Sequence, residues 1–158
     1  MPELSAETAA FWSAYLESPE APEDAPGRLY GTCRIGDSRE SADAGARLVL
    51  AGRKTATSSL LWEYDAGGGA PPEVGALTIL EDGARRPVCV FETYEVEVRP
   101  FAAVDAAFAA DYGEWDGSLA TWRLRCWDHY AAVCAGLGRV PAQDMPLVCE
   151  RFRVVYPR

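Results

Sequence analysis

The sequence predicts an α+β fold built on a mostly antiparallel sheet, and three observations carry that expectation. Strand patterns fall in the middle and at the end of the chain, with helical patterns before and between them. The order lacks the regular strand–helix alternation of a doubly wound fold. Asp82-Gly83, between the apolar runs ALTILE and RPVCVFETYEVEV, is the strongest short hairpin signal in the chain. These strands are long enough to close into a small barrel with flanking helices.

Taken in order, residues 4–17 read as an amphipathic helix, with Leu4, Thr8, Phe11, Trp12, Tyr15 and Leu16 at spacings of three and four. SPEAPEDAPGR follows as an acidic surface linker. The chain thus divides into a helix and linker over 1–27 and a main domain over 28–158. A strand near Leu29–Ile35 leads to Gly36, Asp37 and Ser38, which offer turn and N-cap chemistry for a helix over 39–51, and Gly52 is placed to end that helix in a left-handed turn. Thr55–Leu60 has a β-branched strand start. DAGGGAPP from Asp65 reads as a loop able to serve as a lid. After the hairpin, Pro100 stops a strand from Pro87 to Val98, Phe101–Ala110 is helical, and Ser118 caps a helix reaching Gly136. The chain closes on a strand over 147–156, which sets Glu150, Phe152 and Val154 on one face and Cys149, Arg151 and Arg153 on the other.

A chain of 158 residues fits one domain with a core of its own. No apolar run approaches a membrane span, and the start MPELSAETAAF lacks a basic signal region, so the expectation is a soluble cytoplasmic protein. Five cysteines without CxxC pairing, and His129 as the one histidine, make a poor zinc or disulfide inventory. No metal or organic cofactor is predicted. Cys126 and His129, three residues apart on a helix, are the only Cys-His pairing to consider. The net charge is -9, but six acids precede Arg28, the first basic residue, leaving 15 basic against 18 acidic residues in the remainder. That balance excludes tight non-specific duplex binding while leaving room for a local basic cleft.

Lys54, in AGRKTATSSL, is the only lysine, and the other fourteen basic residues are arginine. An ammonium can lose its proton when buried and act as base or nucleophile, whereas a guanidinium stays charged. Arg53 beside it and the hydroxyls of Thr55, Thr57, Ser58 and Ser59 are candidates for binding phosphate or, once activated, for attacking a carbonyl. The competing reading places Arg53 and Lys54 as cations after a helix C-terminus, where the dipole favours them.

Five ordered blocks carry a family resemblance: ADAGARLVLAGRKTATSSL, PPEVGALTIL, VCVFETYEVEVRPF, FAADYGEWDGSLATWR and MPLVCERFRVVY. Over residues 28–157 the chain resembles the ASCH domain family. The resemblance implies a PUA-like β-barrel and a role connected with RNA or a modified nucleoside. A small relative is an amidohydrolase of N4-acetylcytidine that uses a lysine, a threonine three residues on and a glutamate; Lys54 and Thr57 match the first two. The family's acidic segment EGEGD reads YGEWD here, so the acid is either replaced by Tyr112 or present as Glu114. Other members are ribonucleases, which gives Lys54, Glu114 or Asp116, and Arg123 candidate roles in RNA cleavage.

Thus Lys54, Thr57 and Glu114 are the catalytic candidates. Arg53, Thr55, Ser59, Trp62, Tyr112, Trp115, Asp116, Arg123 and Glu150 are the substrate-binding ones, with the aromatics as stacking surfaces for single-stranded bases. Ribonuclease, amidohydrolase and non-catalytic RNA-binding module all remain open, as does a homodimer through the acidic N-terminal helix.

Overall fold

The computed structural model describes residues 2–158. Five strands, β1 (Leu29–Cys33), β2 (Ala56–Leu60), β3 (Leu77–Glu81), β4 (Pro87–Pro100) and β5 (Pro146–Tyr156), form one mixed sheet in the order β1-β3-β4-β5-β2. β1 runs parallel to β3, while β3 is antiparallel to β4 and β2 to β5. The sheet is open rather than the closed barrel expected, because β1 and β2, five residues each, both stand at an edge. The residues group into two compact units, one of Met1–Gly52, Pro72–Tyr94 and Phe152–Arg158, the other of Arg53–Pro71 and Glu95–Arg151.

In the first unit, α1 (Ala6–Glu17) starts at Ser5, whose hydroxyl accepts from the Thr8 amide. Its Trp12 and Tyr15 are buried with Leu77, Ile79, Val90 and Val155. Helix α2 (Arg39–Leu50) opens with a capping box between Ser38 and Ser41. It lies close on the preceding segment because Gly45 has no side chain; a Cβ there would collide with Ile35. Ala46 and Val49 pack with Leu80, Phe91 and Phe152, the two phenylalanine rings 4.3 Å apart. The link from β3 to β4 is longer than a two-residue hairpin turn. The Asp82 carboxylate accepts from the Ala84 and Arg86 amides and widens the loop, with Arg85 at φ 63°.

The second unit holds α3 (Leu61–Gly67), α4 (Ala106–Tyr112) and α5 (Leu119–Gly136). Helix α3 fills the gap between the strand expected over 55–60 and the loop expected from Asp65, and takes in the first three residues of that loop. The Glu63 carboxylate accepts from the Leu60 amide, closing its first turn, and Gly68 ends it at φ 70°. The single helix expected over 101–110 is two pieces, a 3-10 turn at Phe101–Ala103 and then α4, because Asp105 caps the Phe108 amide and restarts the helix. The core combines Ala56, Leu60, Phe101, Phe108, Trp122, Cys126, Tyr130 and Leu147.

Gly113 ends α4 at φ 69° with its α-carbon against the backbone of Arg53 and Lys54; a Cβ would collide with the Arg53 carbonyl. Gly52 has nearly the same φ, 72°, but open space around it. Gly52→Ala should therefore cost only the left-handed backbone penalty, about 1 kcal/mol, while Gly113→Ala adds a backbone clash and should cost at least about 3 kcal/mol. Urea unfolding of both variants checks this; equal losses would contradict the contact.

Candidate functional site

The contact at Gly113 positions everything that follows. The Thr55 amide donates to the Asp111 carbonyl at 2.8 Å, and the Thr55 hydroxyl reaches the same oxygen at 3.2 Å. With residues 53–55 laid along the end of α4, the Lys54 side chain turns inward and is fully buried. Its Nζ donates to Glu114 Oε2 at 2.8 Å and to the Tyr112 carbonyl at 3.1 Å, and lies 3.3 Å from the centre of the Tyr112 ring. A carboxylate, a carbonyl and an aromatic face all favour the charged amine. Lys54 is therefore held as an ammonium, which fills the place that a free base would need.

Tyr112 is fixed in turn. Its ring stands edge-on to Trp122 on α5 at 6.0 Å. Burial pushes the Tyr112 phenol well above its ordinary value, and pushes the Cys126 thiol up to about 12. Cys126 is thus a protonated core residue, and His129 is exposed with its ring against Tyr130, so the Cys-His pairing has no nucleophile to offer.

The turn after Gly113 presents the polar and aromatic groups. It is closed by the Gly117 amide donating to the Glu114 carbonyl at 3.2 Å. Trp115 sits at φ 56°, a left-handed conformation unfavourable by roughly 1–2 kcal/mol for a residue with a side chain. Its ring stacks on Tyr112 at 5.8 Å and 17°, yet 40% of the residue remains exposed. Glu114, beside it, keeps 21% of its side chain in contact with solvent. Asp116 is used locally: it accepts from the Ser118 amide and hydroxyl and from the Thr121 hydroxyl, capping α5. Those bonds, the Ser118 amide first, hold its carboxyl below the usual range, which makes it a poor proton donor near neutrality.

The remaining candidates are placed by β2. Strand alternation sets Ala56, Ser58 and Leu60 toward the core, where the Ser58 hydroxyl meets the Tyr130 hydroxyl at 2.6 Å. Thr57 and Ser59 take the other face. Thr57 is directly opposite Glu150 on β5, and Ser59 is hydrogen-bonded to the Tyr64 hydroxyl at 2.8 Å. Glu150 is buried, with 8% exposure. Trp62, on α3, carries the Arg139 guanidinium 4.4 Å from its ring centre. Arg123 is exposed and reaches the Val104 carbonyl at 3.5 Å, whereas Arg53 is exposed beside the Gly113 turn. The structure thus joins Lys54, Tyr112, Glu114 and Trp115 into one cluster, and pairs Thr57 with Glu150 on the sheet.

One positioning residue escaped the sequence reading. Arg151 donates to Asp111 at 2.9 Å and to Glu95 at 2.8 Å, tying the end of α4 to β4. An arginine between Glu150 and Phe152 in a strand was its only signal. Among the described residues, no group of three or more His, Cys, Asp or Glu is placed to hold a metal ion, and no helix is long and apolar enough to cross a membrane.

Removing either member of the Lys54–Glu114 pair has unequal consequences. Glu114→Ala leaves a buried ammonium without its carboxylate and should cost about 3 kcal/mol. Lys54→Met leaves a carboxylate that water already reaches, fills the same apolar space and should cost less than about 1.5 kcal/mol. Denaturation midpoints of the two variants decide it; a larger loss for Lys54→Met would contradict this account.

Comparison with known proteins agrees with this architecture. No curated protein matches the chain. Among solved structures, an ASCH domain from Lactobacillus crispatus JV V101 is 29% identical, with a TM-score of 0.88 over 97% of this chain and 96% of that one. A protein from Enterococcus faecalis V583 is 30% identical, with a TM-score of 0.84 over 94% of this chain and 88% of that one. The family model described as ASCH domain matches residues 31–156, so this chain belongs to the ASCH domain family.

Proposed function

We propose that this ASCH domain recognises an unpaired base, in single-stranded RNA or in a modified nucleoside, at the turn carrying Glu114 and Trp115. The observation that supports the reading is the buried Lys54 ammonium, which holds Glu114 beside an exposed aromatic in a strained backbone conformation. Strain of this kind persists where the surroundings enforce it and is concentrated at ligand-binding positions. A base stacks on the open part of Trp115, Glu114 accepts from its N–H edge, and exposed Arg53 meets a neighbouring phosphate. Lys54 is too deeply buried to touch phosphate itself. In a ribonuclease, Glu114 is the group placed to take a 2′-hydroxyl proton and Arg53 the one to meet phosphate charge.

A second reading is favoured by the pairing of Lys54 with Glu114 rather than with a carboxylate at position 112. It is an amidohydrolase in which Thr57 attacks the acetyl carbonyl of N4-acetylcytidine and the Lys54–Glu114 pair orients the substrate.

Binding of labelled single-stranded RNA and of N4-acetylcytidine, with product analysis by mass spectrometry, tests both. Trp115→Ala should weaken binding by about tenfold or more, since stacking contributes about 1–3 kcal/mol per base. Glu114→Gln should weaken or redirect base preference, and Arg53→Ala should weaken RNA but not the nucleoside. Cytidine release by the wild type selects the amidohydrolase, and shortened RNA selects the ribonuclease. Unaltered affinity in both Trp115→Ala and Glu114→Gln would overturn the assignment of the site.

A further inference from the structure

We infer that the base recognised at the turn after Gly113 is guanine, held by its Watson–Crick edge on the Glu114 carboxylate while its ring stacks on Trp115. The inference rests on the base-binding reading of that turn and names the base; it does not depend on any reaction at Thr57. Of the two carboxylates on the turn, Glu114 and Asp116, one is open to a ligand. Asp116 commits both oxygens to the start of α5, Oδ1 to the Ser118 amide and hydroxyl and Oδ2 to the Thr121 hydroxyl. Glu114 accepts from Lys54 Nζ through Oε2 at 2.8 Å, and among the described residues its Oε1 has no hydrogen-bond partner.

A carboxylate has about four lone-pair sites, so with one taken by Lys54 both oxygens of Glu114 can still accept. Water reaches 21% of that side chain, which leaves it accessible to a ligand's edge. Trp115 is the next residue in the chain. One face of its indole lies on the Tyr112 ring at 5.8 Å and 17°, and 40% of the residue stays exposed, which leaves the opposite side to a flat ligand. An acceptor-only group beside an open aromatic face sorts bases by the donors they present.

Guanine carries N1–H and the N2 amino group side by side on one edge, spaced to meet the two oxygens of a carboxylate in parallel charge-assisted bonds. Uracil sets its N3–H between two carbonyl oxygens, which a carboxylate repels. Adenine and cytosine each set one amino group beside a ring nitrogen that is itself an acceptor. Guanine is therefore the one base of the four that meets Glu114 with two donors and no acceptor between them. As a purine it also covers more of the indole than a pyrimidine does, and stacking strength alone gives a modest preference.

The probes are labelled oligouridines with one central test base, guanine, hypoxanthine, 1-methylguanine, adenine or cytosine, read by fluorescence anisotropy on the full chain. The wild type should bind the guanine strand about tenfold more tightly than the adenine, cytosine or all-uridine strands. Hypoxanthine, which lacks the N2 amino group, should fall between, and 1-methylguanine, which lacks N1–H, should lose the preference. Trp115→Ala should weaken the guanine strand at least tenfold, roughly the loss of one stacked base. Glu114→Gln presents one acceptor and one donor, and should bring guanine and adenine within about threefold of each other. Thermal unfolding accompanies that variant; if it does not fold, the two modified bases decide on the wild-type protein. Once the preference is measured, displacement by guanosine 5′-monophosphate but not adenosine 5′-monophosphate assigns the site to guanine nucleotides, and resistance to both assigns it to guanine within a strand. Equal wild-type affinity for every strand, still dependent on Trp115, would overturn guanine and leave base binding at the turn standing. Full affinity for 1-methylguanine, or a guanine preference kept by a folded Glu114→Gln, would do the same. No binding of any strand, or binding indifferent to Trp115→Ala, would remove the base-binding reading and this inference with it.

Discussion

A buried ammonium has to be neutralised where it sits, and in this protein that requirement shapes the candidate site. Lys54 is inside because the Gly113 turn admits the backbone before it, and it stays charged because Glu114, the Tyr112 carbonyl and the Tyr112 ring surround it. Each partner has its own support. Tyr112 is fixed by ring contacts with Phe108 and Trp122, α4 by the Arg151 bridge to Asp111 and Glu95, and the following turn by the Gly117 amide and the Asp116 cap. The cost of burying one charge is thus met by a set of contacts that also fixes where Glu114 and Trp115 stand.

Such an arrangement separates two roles that the lysine carried together in the sequence. As a free amine it would be a base; as an ammonium under a carboxylate it orients an acid and supplies fixed positive charge. In the proposed reading the group that meets the ligand is therefore the Glu114 carboxylate, which stands beside the exposed Trp115.

Much of the fold was legible because its signals are local. Ser38 and Ser118 cap helices by their own side chains, and Gly52 ends α2 through its backbone freedom. Lys54 and Glu114 were legible as candidates, one by being the lone lysine and the other by its place in YGEWD. What was not legible depends on contacts distant in sequence. The open sheet follows from which strands pair, which alternation does not specify. Helix α3 depends on the Glu63 carboxylate reaching back to the Leu60 amide. Tyr112 read as a base-stacking ring because nothing in the sequence places an ammonium 3.3 Å from its centre. Asp116 read as an acid candidate because a cap and a catalytic carboxylate look alike before the helix is placed.

Because the chain has a single lysine, uniform 13C-lysine labelling gives one side-chain Cε resonance to follow by NMR. At pH 7 this signal should report the charged amine, displaced upfield by the Tyr112 ring current, and Glu114→Gln should shift it. A signal at the neutral-amine position, or one at the random-coil position that ignores Glu114→Gln, would contradict the buried ion pair on which the site is built.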